Sequence, residues 1–286
     1  MTWIKWALLV LALFAIAFIA LAAYGSVRWN GRTRELMARL EATRVPPWPA
    51  RYEARELDGL PAPVQRYFRT ALTDGARIVS AVTVAHAGSF NMGETADRWK
   101  PFTSTQRVVT RAPGFVWDGR VLMLPGLAVQ VHDAYVGGTG ILQPALLGLF
   151  TLADLHGTGD IAQGELMRFF AEAAWYPTAL LPSQGARWQA LDERSARATL
   201  SDGSLTLDLS FEFNDAGLIE SVRAEARGRT VGNQTVPAPW EGRWSDYQTR
   251  DGMRVPTRGE VAWLLPEGRK PYWRGTITAL RYEFAD

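Results

Sequence analysis

The sequence predicts a mainly β protein with helices (α+β). A curved antiparallel sheet of about eleven strands, a half-barrel, wraps around a helical insertion, and a transmembrane helix precedes it. Three observations predict this. The segment "WALLVLALFAIAFIALAAY" (6–24) has no charge and no helix breaker. From Ile78 onward the hydrophobic period is two, interrupted only at residues 141–182. Turn signals such as Pro113-Gly114, Asp202-Gly203 and Asp251-Gly252 separate the alternating runs.

The first segment is long enough, as a helix of roughly 28 Å, to cross a hydrocarbon core of about 30 Å. Trp3, Trp6, Tyr24 and Trp29 sit where interfacial aromatics belong. A cleaved signal peptide is the rival reading, with Lys5 as its basic end and Ala20-Leu21-Ala22 as its cleavage site. The apolar run exceeds an ordinary signal core, so an uncleaved anchor at residues 1–29 is expected, with Trp6–Tyr24 in the membrane. Residues 30–59 follow as a charged helix, "RTRELMARLEATR", and a linker broken by Pro46, Pro47 and Pro49. The half-barrel is expected over 60–286, opening with an amphipathic helix that places Val64, Phe68 and Leu72 on one face.

"SLTLDLSFEF" is the clearest strand. Leu205, Leu207, Leu209, Phe211 and Phe213 alternate with polar residues, as in an antiparallel strand with one wet face. Ten further strands read the same way, from "IVSAVTVAHAGSF" to "YWRGTITALRYEF". Residues 141–182 read as two helices joined by a glycine-rich turn.

Composition narrows the function. Of the 286 residues none is cysteine, which removes disulfides, thiolate nucleophiles and cysteine metal sites. Residues 1–44 carry six basic and two acidic side chains against a chain total of +2, so the remainder is mildly acidic. That argues against a nucleic-acid partner. No phosphate loop, dinucleotide loop or nucleophile elbow is present, and no cofactor is expected.

The polar candidates favour structure over catalysis. Glu165, Arg168 and Glu172 fall on one stripe of a greasy helix, "GELMRFFAEAAWYPTALLP", and read as a structural ion-pair row. An arginine between two glutamates is a poor general-acid arrangement. Asp133 shares a strand face with Val131 and Tyr135 and reads as buried, His132 as a surface histidine, and His86 as a core histidine. Asp154, His156, Asp160 and Glu165 carry metal-ligating groups at a spacing that fits no known site, so no metal is expected. The tryptophans are abundant, and an aromatic-lined cavity for an acyl chain or other apolar ligand would use Trp99, Phe102, Trp117, Trp175, Trp188, Trp244 and Trp263.

The strings "WKPFTSTQ", "GFVWDGRV", "VHDAYVGGTG", "GELMRFFAEAAWYPTALLP" and "VPTRGEVAWLLPEGRKPYWRG" resemble an uncharacterised bacterial family of membrane-associated proteins, the DUF6544/DUF6920 group. That family supplies no catalytic residues. At the level of layout, "TSTQRVV", "FEFNDAGLI" and "GMRVPTRGEV" make the chain similar to periplasmic lipoprotein carriers (LolA-like half-barrels). The resemblance implies an apolar cavity closed by helices. It also implies a place on the outer face of the inner membrane, against the orientation that the arginines after the anchor favour. The expected function is non-catalytic binding of a lipid or other hydrophobic ligand by a single-pass envelope protein. A hydrolase using Asp133, His156 or Glu165 and a membrane scaffold are the alternatives.

Overall fold

The computed structural model describes residues 2–93, 96–232 and 234–286. Its first element, α1 (Thr2–Ala42), is one unbroken helix that joins the apolar run to the charged segment. Residues 3–21 are exposed, whereas Gly25, Trp29, Leu36 and Leu40 are buried against the sheet. Pro46 and Pro47 keep the chain from continuing as a helix. A short turn at Ala54–Leu57 leads into α2 (Ala62–Ala71), where Val64, Tyr67 and Phe68 are buried.

Among the described residues, fourteen strands form one antiparallel sheet. The first series is β1 (Val79–Asn91), β2 (Trp99–Val109), β3 (Gly114–Leu124), β4 (Leu127–Val136), β5 (Thr139–Leu146), β6 (Phe150–Thr151) and β7 (Leu155–Gly157). The second is β8 (Arg187–Ala190), β9 (Ser195–Asp202), β10 (Leu205–Phe213), β11 (Ile219–Val231), β12 (Gln234–Arg250), β13 (Met253–Leu265) and β14 (Gly268–Phe284). Each series is a meander, and the pairing of β1 with β14 joins them. The edges are short, two residues in β6 and four in β8, which limits strand addition from outside.

The eleven expected strands are all present. The difference lies at 141–157, expected as helix, which falls in β5, β6 and β7. Pro144 and a Gly-Leu-Phe turn made that segment look neither alternating nor strand-like, and its pairing partner β4 settles it as sheet. Only α3 (Asp160–Ala171) and short 3-10 turns from Glu172 to Gln184 remain of the helical insertion.

This insertion runs from one edge of the sheet to the other, across the concave side. Leu166, Phe169, Phe170 and Trp175 are buried there in the main core, with Phe211, Phe213 and Trp244. Its turns are tied to the β1–β14 seam. Tyr282 donates to the Trp175 carbonyl at 2.6 Å, and the Val79 amide donates to Thr178 Oγ1 at 3.0 Å. The two halves of the sheet also meet directly, because Tyr135 on β4 donates to Asp202 on β9 at 2.7 Å.

On the convex side α1 covers β2, β3 and β4. Leu36 and Leu40 pack with Val109, Val116, Ala134 and Val136 in a second small core. A Cβ on Gly25 would lie 2.1 Å from the Leu147 carbonyl oxygen, so only glycine permits this approach of helix to sheet. Arg107 bonds both Glu41 of α1 (2.6 Å) and Glu283 of β14 (2.7 Å), and Arg44 bonds Glu283 at 2.6 Å. His132, expected on the surface, is fully buried under α1. Its strand face would be wet in an uncovered sheet, and the helix residue that bonds it, Thr33, comes from 99 residues earlier.

Candidate functional site

The concave side holds a cleft between α3 and the sheet. Strand alternation aims Val121 and Met123 of β3, Val129 and Val131 of β4, and Leu142 of β5 into it, opposite Trp263 of β13. Its volume is about 740 Å³. Phe90, Trp117, Asp133, Arg227 and Tyr272 are shared with a smaller inner cavity of about 80 Å³, which Trp175, Trp240, Trp244 and Trp273 enclose. The walls are apolar, and the floor where the two meet is charged.

Arg168 organises that floor. Its guanidinium donates to Glu172 (2.7 Å), Asp133 (2.5 Å) and Gln106 (3.0 Å), and Gln106 donates to Glu172 at 2.6 Å. The same guanidinium lies over the rings of Phe115 and Trp117. Burial alone would lower the Arg168 pKa, but the Glu172 and Asp133 carboxylates outweigh it and raise it. The charge is therefore fixed, and the group is a strut.

Glu165 meets this network only through Asp133. It is buried, and it forms no ion pair among the described residues. Burial, and then the Asp133 carboxylate, push its pKa well above the usual carboxylate range, against the pull of Arg227 and Arg168. The expected three-member ion-pair row is thus two members plus Asp133, with Glu165 favouring its neutral acid. Asp133 Oδ1 and Glu165 Oε2 are buried with no donor other than the neutral Glu165 acid itself, which hydrogen-bonds Asp133, and both residues line the cleft. Arg227 lies beside them. Its guanidinium sits 5.0 Å from the Trp240 ring centroid and has no carboxylate partner among the described residues. Buried polar atoms are normally satisfied, and a proton on Glu165 satisfies this carboxyl pair only while Glu165 stays neutral.

Of the other residues proposed from sequence, Trp117, Trp175 and Trp244 line the inner cavity and Trp263 the outer cleft. Phe102 packs behind them, against Phe90 and Trp273. Trp188 lies in the core on the far side, edge-on to Phe68 and Phe211. Trp99 is outside, under Arg274. Asp154 and His156 meet at 3.4 Å at the cleft mouth, away from Asp133. His86 is a buried core histidine against Trp175, and burial, then Arg168, lowers its pKa to about 3. Arg227, Tyr272 and the aliphatic wall escaped sequence reading. Their strands alternate irregularly, and a β-bulge in β11 between Ala224 and Arg227 shifts the face on which Arg227 falls.

Several solved structures are similar in layout. An outer-membrane lipoprotein-sorting protein domain from Vibrio parahaemolyticus aligns at TM-score 0.36 and 10% identity, over 71% of this chain and 85% of its own. A LolA superfamily protein from Nitrosomonas europaea aligns at 0.31 and 13%, over 71% and 86%. A DUF1329 family protein from Desulfovibrio piger aligns at 0.37 and 11%, over 72% and 86%. No curated protein matches the chain. One family does match, over residues 58–282, from α2 to the last strand and including every residue of the cleft. The chain belongs to that family, DUF6920, a family of unknown function.

Proposed function

We propose that this protein binds an amphiphile with an acyl chain, as a single-pass inner-membrane protein whose half-barrel lies on the periplasmic face. The observation that carries the reading is the cleft itself. At about 740 Å³ it has the size of a small-molecule site, and its apolar walls end on the Asp133–Glu165 carboxyl pair and Arg227. A chain along Val121, Val131 and Leu142 gains about 0.8 kcal/mol per buried methylene. A hydroxyl on the head group would donate to Asp133 Oδ1, and an anionic oxygen on the Arg227 side of the floor would pair with that guanidinium. The uncovered apolar helix at residues 3–21 supports the membrane tether.

Native mass spectrometry of the full chain from mild detergent tests this. A bound lipid, displaced by added fatty acid, is expected. Protein that stays ligand-free through delipidation and reloading with fatty acid overturns the reading.

A second reading rests on one observation, the raised Glu165 carboxyl beside Asp133 in a cleft. Such a pair suits general acid–base work on an ester of the bound chain. Glu165→Gln separates the two. A binding protein keeps its lipid, whereas a hydrolase loses turnover of a long-chain nitrophenyl ester and retains the substrate.

A further inference from the structure

We propose that the rim around the cleft mouth is sunk into the bilayer that holds α1, so that the cleft loads from the membrane without exposing its ligand to water. The inference rests on the reading of α1 as a membrane anchor, and it adds where the domain sits on that anchor.

The position follows from docking. α1 runs down the convex face from the β3–β4 turn to the β4–β5 turn. A Cβ on Gly126 would lie 3.9 Å from the Phe18 ring, and one on Gly137 3.7 Å from Thr43. Between these points Gly25, Trp29, Leu36 and Leu40 are buried, and the Glu41 and Arg44 ion pairs lock the lower end. The helix and the sheet therefore share one fixed axis. Phe18 lies six residues inside the apolar run that ends at Tyr24, which is about 9 Å along the axis. The β3–β4 turn beside it is at the same height. That depth is where membrane-surface elements bury their apolar face, about 5–10 Å into the head-group boundary.

The side chains at that height are the ones a bilayer would solvate. In an antiparallel meander the β1–β2, β3–β4, β5–β6 and β11–β12 connections leave from one end of the sheet. Leu124 (60% exposed) is on the β3–β4 hairpin, with Leu122 beside it. Phe150 (54%) and Leu152 (59%) are on the β5–β6 side, and Leu155 follows on β7. Met92 ends the β1 strand, and Val231 and Val236 flank the β11–β12 turn. Outside α1 the described residues hold eleven exposed large apolar side chains; seven share one end, and Leu155 lies midway along β5, opposite Leu142. The other three, Val45, Trp48 and Leu191, are scattered at the end where α1 stops. Isolated exposed apolar residues are ordinary, but a cluster that rims an opening is not. Met92, Leu152 and Leu155 also line the cleft mouth, so the rim and the entrance are one surface.

The chain lacks cysteine, so single-cysteine variants of the full protein carry one fluorescent label each. Leu124→Cys, Phe150→Cys, Leu191→Cys and Phe14→Cys, labelled with a nitrobenzoxadiazole probe, are reconstituted in phosphatidylcholine–phosphatidylglycerol vesicles. Lipids bearing a spin label near the head group, or deep on the chain, act as quenchers. The expected result is a blue-shifted emission at 124 and 150, quenched most by the shallow label. The probe at 14 should be quenched most by the deep label, and the probe at 191 by neither. Probes at 124 and 150 as water-exposed as that at 191, with 14 deep, overturn the sunken rim while leaving the anchor. A water-exposed probe at 14 overturns both.

Discussion

The Trp29 indole of α1 lies flat on the His132 imidazole of β4, with 3.8 Å between ring centroids and 11° between planes. Thr33 Oγ1 reaches His132 Nε2 at 2.7 Å, and Trp29 Nε1 donates to Asp118 at 2.9 Å. A histidine is thus the floor on which α1 rests.

That floor is sensitive to acid. Burial, and then Arg32, lower the His132 pKa to about 4, against an ordinary 6.5. Above pH 6.5 both folded and unfolded chains carry it neutral, and its contribution is intact. Between pH 6.5 and 4 the unfolded chain takes up a proton that the fold rejects, so stability falls by at most about 1.4 kcal/mol per pH unit for this group. His86, held at about 3, acts in the same direction. Glu165 works in the opposite sense as pH rises above its unfolded value, so the comparison is made between variants. Urea unfolding should show a midpoint that drops from pH 7 to 4.5, and His132→Gln should flatten the drop. Equal slopes in parent and variant would remove His132 from the account.

The Arg168 network and Glu165 should respond differently to mutation. Arg168→Met leaves Glu172 and Asp133 buried without a counter-charge, and a loss of about 3–5 kcal/mol is expected in urea unfolding. Glu165→Gln changes stability at pH 7 by less than about 1 kcal/mol in the destabilising direction, because the neutral acid is already favoured. A loss of similar size in both variants would mean that Glu165 is bound into the ion pairs after all.

Two substitutions probe the cleft from opposite ends. Val131→Trp fills the apolar wall and should abolish fatty-acid binding, read by quenching of tryptophan fluorescence with a brominated acyl chain, while leaving the fold intact by circular dichroism. Arg227→Gln should weaken a fatty acid about tenfold and leave the corresponding alcohol unchanged, a difference of about 1.4 kcal/mol. Equal weakening of acid and alcohol would show that Arg227 acts through packing on Trp240.

Where alternation was clean, the chain announced its own structure. β10, with Leu207, Leu209, Phe211 and Phe213 inward, needed nothing beyond period two. β5 was missed because its inward residues, Leu142 and Pro144, face a cleft and its partner strand decides its state. The same long-range logic hid His132. Its strand neighbours mark a wet face, and only α1, whose Thr33 lies 99 residues upstream, makes that face dry. Arg168 was legible as a paired charge, since an arginine on a greasy helix has to find acids. Its true partner across the cleft, Asp133, was legible only as buried. Glu165 sits at the same helical spacing, and three-dimensional burial alone distinguishes a strut from an idle acid.

The seam between β1 and β14 brings Val79 beside Phe284, the two extremes of the domain. Strands made early must therefore wait, unpaired on that side, until the final hairpin has been synthesised and, for a domain on the periplasmic face, exported. At about 5–20 residues per second the interval is on the order of ten seconds or more. During it the concave surface is open and adhesive. If α1 anchors the chain as proposed, that surface spends the interval beside the bilayer, where the domain's late-closing seam and its tether act together.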